Sequence, residues 1–431
     1  MIRMIAAALT AAALAAPLTG QAAPGTAAVR MPTIYAITNA TVVPVTGARI
    51  AGGTVIIRNG KIEAVGAGVA VPPGAMAIDG TGLFVYPGLI DSGDRMGLTE
   101  IGSVPGGEDT QEIGQYNPQN AVLTAVNPSS VHIPVTRANG VTSAITSAEG
   151  GMIQGWAALI DLAGWTPDEM AEKGRVAMVM TYPRVGGGRR GFRSGPAQGG
   201  DAAETQNRQV RELFDYLREA RAYNDRPNPV PKNLAYAALG PALKGEAPVI
   251  FDVQTEGQIR GVLALADSFK LKVVLRGAAD SWMLADTLAA RKIPVVVGPL
   301  VAVPEGDAPY DAVYAYPGVL AKAGVQIAFQ TNDGGEGDAR NLPYNAALAT
   351  AYGLDPEEAL RAITINPARI WGVADRLGSI EPGKVANLFV TTGDPLDVRS
   401  QVRHVFIRGQ LMPWDDRHTL EYQKYRSRPK P

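Results

Sequence analysis

The feature that most constrains this chain is a long alternation of short β-prone runs with segments whose apolar residues recur at helical spacing. Strand-like runs fall at 142–146, 176–181, 249–253, 272–275, 294–297 and 326–330, and helix-like segments at 204–223, 257–269, 281–290 and 341–352. In the first of these helices Val210, Leu213, Phe214, Leu217 and Ala220 repeat every three or four residues, which puts them on one face. Asp355-Pro-Glu-Glu358 opens a further helix, with Asp as cap, Pro at the first helical position and Glu358 where a capping box places a carboxylate. Strands alternating with helices predict an α/β fold with a parallel sheet wrapped by helices. Over this length they fit a (β/α)8 TIM-like barrel, with an open doubly wound sheet as the alternative.

Both flanks read differently. Residues 54–58 and 61–65 are β-prone and flank Asn59-Gly60, the strongest short hairpin signal, since both turn residues need positive φ. Strands follow at 77–79 and 83–86, and β-prone runs return at 387–391 and 402–411 with no helix beside them. One small composite β-sandwich domain built from both chain ends accommodates them. The expected organisation is a leader at 1–23, β domain at 33–86, barrel at 87–375, the second part of the β domain at 376–412 and a tail at 413–431. Tyr422, Tyr425 and the basic residues of that tail suggest a surface extension for subunit contact.

The leader is a secretory signal in form. Arg3 is followed by an apolar run at 5–16, then Pro17, Gly20 and the small residues Ala22 and Ala23. A membrane span needs roughly 20 apolar residues, so export to the periplasm or medium is expected, with no span left after cleavage. Net charge is −1, with 40 basic and 41 acidic residues, so nothing favours a nucleic-acid partner. Cysteine is absent, which removes disulfides, iron–sulfur clusters and thiolate zinc sites. Only three histidines exist, His132, His404 and His418.

Three blocks carry a family resemblance. Tyr86-Pro-Gly-Leu-Ile-Asp91 resembles the lead-in to the barrel of the amidohydrolase superfamily, and the stretch 359–372 is similar to the helix that closes that barrel. Leu377-Gly-Ser-Ile-Glu-Pro-Gly-Lys-Val-Ala-Asn-Leu-Phe-Val390 is similar to the return into its composite β domain. The stretches 147–156 and 249–275 resemble the secreted, imidazolonepropionase-related branch. The resemblance implies hydrolysis of carbon–nitrogen bonds other than peptide bonds. It also implies one or two divalent ions such as zinc, which activate water and polarise a carbonyl.

The family's ligand positions are filled here by other residues. Where two histidines belong after the first strand stand Gly93, Asp94 and Arg95; Gly93 has no donor and Arg95 is a permanent cation. The next histidine positions fall at Asp252, with Gln254 near, and at Gly277, beside Arg276. Asn332 takes the place of the strand-8 aspartate, with Asp333 shifted by one, and Lys244 lies in a loop-like context unsuited to a metal-bridging lysine. No metal or other cofactor is therefore expected. Asp94, Arg95, Asp252, Arg276 and Asp333, with Asp280, are expected to meet at the barrel mouth, as a repurposed polar site or as ion pairs filling the former metal cavity. Arg95 is expected beside Asp252 or Asp333.

Two other segments carry weaker signals. The segment 332–338 sets acids among glycines but lacks EF-hand spacing, and reads as a loop rather than a calcium site. Four arginines at 184–193 suit a lid over an anionic ligand or a solvated loop. Three functions stay open: a metal-free relative that binds a small amide ligand or partners an active homologue or a second copy of itself; a hydrolase working through carboxylates and arginine; and a structural subunit.

Overall fold

The computed structural model describes residues 34–428, apart from 103, 184–198, 302–308 and 333–337. The leader, the arginine-rich segment at 184–193, most of the acidic loop and Asp333 lie outside the described residues. The first strands are β1 (Ile34–Val42), β2 (Ile50–Arg58), β3 (Lys61–Ala67), β4 (Met76–Asp79) and β5 (Phe84–Pro87). Asn59 (φ 50°) and Gly60 (φ 81°) both adopt the left-handed region and join β2 to β3, with Arg58 opposite Lys61.

The barrel strands follow: β6 (Leu89–Asp94), β7 (Val141–Thr146), β8 (Ile153–Asp161), β9 (Ala171–Thr181), β10 (Pro248–Val253), β11 (Lys272–Gly277), β12 (Val295–Val297) and β13 (Ile327–Phe329). They form an eight-stranded sheet in sequence order. It curls until the amides of Thr331 and Asn332, just past β13, donate to the Gly93 carbonyl on β6, so the ring nearly closes. Strand order and number match the expected barrel, but β8 runs antiparallel to both β7 and β9. Its residues are not among the strands expected from the sequence, where Gly151 and Gly155 interrupt the pattern and no helix separates β7 from β8.

Inside the ring one apolar layer comes from alternate residues of successive strands, including Ile90, Ile145, Ala177, Val179, Ile250, Val274 and Val296. Ile365, Ala368 and Trp371 close it from the end where the strands begin. Two-residue periodicity then dictates that the next inward positions sit at the opposite, C-terminal mouth.

The chain returns through β14 (Leu388–Thr391), β15 (Val402–Ile407) and β16 (Gln410–Leu411), which join the first five strands in one sheet through β14 against β5. Asp161 on β8 fastens this sheet to the barrel. Its fully buried carboxylate accepts from Ser143 Oγ (2.8 Å), Asn387 Nδ2 (2.8 Å) and Arg408 Nε (2.6 Å). The expected helix after Asp355 forms at Pro356–Ala362, and Asp355 accepts from the amides of Glu357 and Glu358. The capping box is only half made, because the Glu358 carboxylate instead accepts from Asn366 Nδ2 at 2.7 Å. The tail forms an exposed helix, Arg417–Arg426, capped by Asp416. Among the described residues no helix is long and apolar enough to cross a membrane.

Candidate functional site

The positions flanking the C-terminal strand ends form a ring of polar side chains around the mouth. Thr181, Asp252 and Arg276 are direct neighbours in register across β9, β10 and β11. Gln154, 6% exposed, donates its Nε2 to Thr181 Oγ1 at 2.7 Å, while its Oε1 has no protein partner among the described residues. Arg276 forks onto Asp252 with two bonds of 2.5 and 2.8 Å and gives a third to Ser147 Oγ at 2.8 Å. Burial alone would weaken the charge on Arg276. The carboxylates of Asp252 and, further off, Glu149 outweigh that and hold its pKa above the usual value.

Gly93 completes the packing by being small. A Cβ there would fall 2.4 Å from Gln330 Oε1 and 3.3 Å from Arg276 Cδ. The space where the family's first-strand histidines would project is thus filled by Gln330, held to the Gly298 carbonyl at 2.7 Å, and by the Arg276 stem. Gly277 has φ +80° and lies against Gln254, so it too supplies no ligand. These residues do not fit a divalent metal. Two of the former ligand positions carry no donor, and the remaining carboxylate is bound bidentately by a guanidinium.

Gly93, Asp252, Arg276, Gly277 and Asn332 therefore meet at one barrel end, but the expected pairing changes. Arg95 does not pair with Asp252. It faces Glu149 at 3.6 Å, and Glu149 also accepts from Asn332 Nδ2 at 3.0 Å. The reason is position: Arg95 lies just past the end of β6, whereas Arg276 is in register with Asp252. Asp280 turns aside to accept from the Glu256 amide at 3.1 Å, at the start of helix Glu256–Phe269. Lys244 ends a short helix away from the mouth. His132 bonds the Glu100 carbonyl, His404 lies on β15 and His418 faces Arg340, so no histidine reaches the ring.

Sequence reasoning used Asp91 only as part of a motif. In the structure it is fully buried, accepts from the Gly93 amide at 3.0 Å and receives a short bond from Thr331 Oγ1, which also lies 3.4 Å from Asp94 Oδ2. Burial, then the neighbouring Asp94 charge, pushes the Asp91 carboxyl well above the usual range. Burial likewise pushes Asp94 up to about 6, against the opposing pull of the Arg95 amide and charge. Glu149, Gln154, Gln330 and Thr331 were missed as well. Their signal was position, since each lies one to three residues past a strand end or at the bulged start of β8.

The amidohydrolase family profile matches residues 308–412, which include β13 and the return into the composite sheet. Over 400 residues the chain is 24% identical to the amidohydrolase tasK of Hapsidospora irregularis, covering 83% of this chain and 39% of that protein. It is 42% identical over 79 residues to the imidazolonepropionase of Porphyromonas gingivalis, covering 18% of this chain and 19% of that one. The matches thus span well under half the length of these curated relatives. The crystal structure of an amidohydrolase from Thermotoga maritima MSB8 superposes with a TM-score of 0.76 at 28% identity, covering 88% of this chain and 99% of that one. Molinate hydrolase, at 16% identity and a TM-score of 0.55, shares the fold. Residues 308–412 thus carry an amidohydrolase family domain, and the barrel with its composite sheet has the fold of a solved amidohydrolase.

Proposed function

We propose that this protein is a metal-independent amidohydrolase relative whose barrel mouth binds a small amide-bearing molecule. The observation that carries this reading is Arg276, planted by three hydrogen bonds in the space of the former metal cavity and neutralising Asp252. A buried carboxylate without its metal would be costly, and a planar guanidinium satisfies it without a solvent ion. The ligand chemistry follows from the ring. Gln154 Oε1 is a buried acceptor in need of a donor such as an amide N–H. Arg95, whose ion-pair partner among the described residues is Glu149 at 3.6 Å, suits a carboxylate or carbonyl on the same molecule.

The experiment is saturation binding with acylated amino acids, dipeptides and cyclic amides after exhaustive chelation, with product formation followed in parallel. Saturable binding without turnover is expected, and it should be lost in Gln154→Leu. Turnover that appears only on adding zinc refutes the reading.

A second reading rests on Asp94. A carboxyl held at about 6 beside an arginine can exchange a proton with a bound amide near neutral pH. Metal-independent hydrolysis that rises with pH through about 6 and vanishes in Asp94→Asn would favour it over simple binding. We further propose that the leader at 1–23 directs export, and that the mature protein partners a second copy or an active homologue. N-terminal sequencing and light scattering of the secreted protein test both.

A further inference from the structure

A cavity lies at the end of the barrel opposite the mouth, where β10, β11 and β12 begin, and has a volume of about 650 Å³, within the usual range for a small-molecule site. Its floor is apolar, made by Trp371, Val273, Val274, Ile293 and the half-buried Ile370. Its walls hold five cations, Lys173, Lys270, Lys272, Arg291 and Lys292, against two carboxylates, Glu246 and Asp267. That excess stands in a chain of net charge −1.

Arg291 is taken by Asp267 at 2.5 Å, and Lys173 donates to the Trp371 carbonyl at 3.2 Å over the floor. The ammonium groups of Lys270, Lys272 and Lys292 have no protein partner among the described residues. Cations near helix C-termini often answer the helix dipole. That explanation does not reach Lys272, at the start of β11, or Lys173, on β9.

The backbone supplies an independent sign. Helices here commonly stop on a left-handed glycine: Gly140 after His132–Arg137, Gly324 after Ala312–Lys322, Gly353 after Leu342–Ala351 and Gly372 after Ile365–Ile370. The helices Glu256–Phe269 and Ala285–Ala290 stop instead on Lys270 (φ 52°) and Lys292 (φ 54°). A side chain in that region strains the backbone, and glycine would relieve it. Of the left-handed non-glycine residues, these two helix-ending lysines line this one cavity, and strain kept there points to a use for their side chains.

We propose that this cavity binds a small organic anion with two or more negative charges on a partly apolar body, its charged groups held by Lys270, Lys272 and Lys292 and its body resting on the Trp371 floor. Phosphate and carboxylate head groups share this chemistry.

Calorimetric titration of the full-length protein with pyrophosphate and with benzene-1,3,5-tricarboxylate, against sodium chloride of equal ionic strength, tests the site. Saturable binding of at least one anion is expected, and whichever binds identifies the head group. Lys270→Gly/Lys292→Gly should weaken that binding about tenfold or more, as loss of two charge-assisted contacts implies. The same variant should melt no lower than wild type, because glycine relaxes both helix stops. Lys272→Gln, which leaves those stops untouched, should weaken binding by a smaller factor. No saturable binding beyond that of chloride, or wild-type affinity in the double variant, overturns the proposal.

Discussion

Replacing Arg276 with methionine probes the centre of the mouth. Methionine keeps much of the stem volume but deletes the fork onto Asp252 and the bond to Ser147. Breaking a buried ion pair from one side costs about 3–5 kcal/mol, since the remaining charge is stranded. Arg276 is 5% exposed, but the Asp252 side chain is 32% exposed and recovers part of its hydration. The expected loss therefore falls to about 2–3 kcal/mol, just below that range. For a chain of this length that is a drop in Tm of about 2–3 °C. Removing both charges together should be far milder, because a buried pair exchanged for apolar residues is often neutral. Calorimetric melting of Arg276→Met, Asp252→Leu and the double variant closes the thermodynamic cycle. If Arg276→Met melts within a degree of wild type, or the double variant melts no higher than it, Arg276 does not neutralise Asp252.

Three further outcomes follow from the same geometry. Asp94 is held above its ordinary value of 3.8, at about 6, so the folded state binds its proton more tightly than the unfolded chain. Its contribution is present at acid pH and is lost as pH rises through about 6, so unfolding titrations should show Asp94→Asn removing a stability decline of up to about 3 kcal/mol between pH 4 and 7. Gly277→Ala places a Cβ 2.5 Å from Gln254 Nε2 at φ +80°, and should cost about 1–3 kcal/mol in denaturant unfolding. Asp161→Ala removes the carboxylate that joins Ser143, Asn387 and Arg408 at the junction of the two sheets, while Arg408 keeps Glu172 at 3.7 Å and its carbonyl partners. It should cost about 1–3 kcal/mol and speed hydrogen exchange in β14 and β15 before β10.

Much of the frame was readable because local chemistry decided it. Asn59-Gly60 could hardly be anything but a tight hairpin turn, and the apolar runs at 249–253 and 272–275 had the length and flanks of buried strands. The seam between the two chain ends also followed from unpaired β-prone runs. The antiparallel β8 was hidden because a strand buried on both faces shows no alternation, and its glycines mimic a loop. Within the mouth, residue types could show that histidine ligands were missing but not which cation replaced them. Arg95 stood next to the family motif and drew the assignment. The decisive relation, Asp252 facing Arg276 across two strands, is a matter of register, visible only once both strand ends are aligned. Thr331 and Gln330 were beyond local reasoning, since their partners lie some 240 and 32 residues away in sequence.

The central claim is that a guanidinium now occupies the place of a metal. The most direct test is zinc stoichiometry and Tm on one preparation, expressed with zinc, chelated, then titrated with zinc from zero to a tenfold excess. No retained zinc after desalting and no zinc-dependent rise in Tm are predicted, because an ion that does not bind the native state cannot stabilise it. Stoichiometric zinc on the desalted protein, with a Tm that climbs on titration, would contradict the claim.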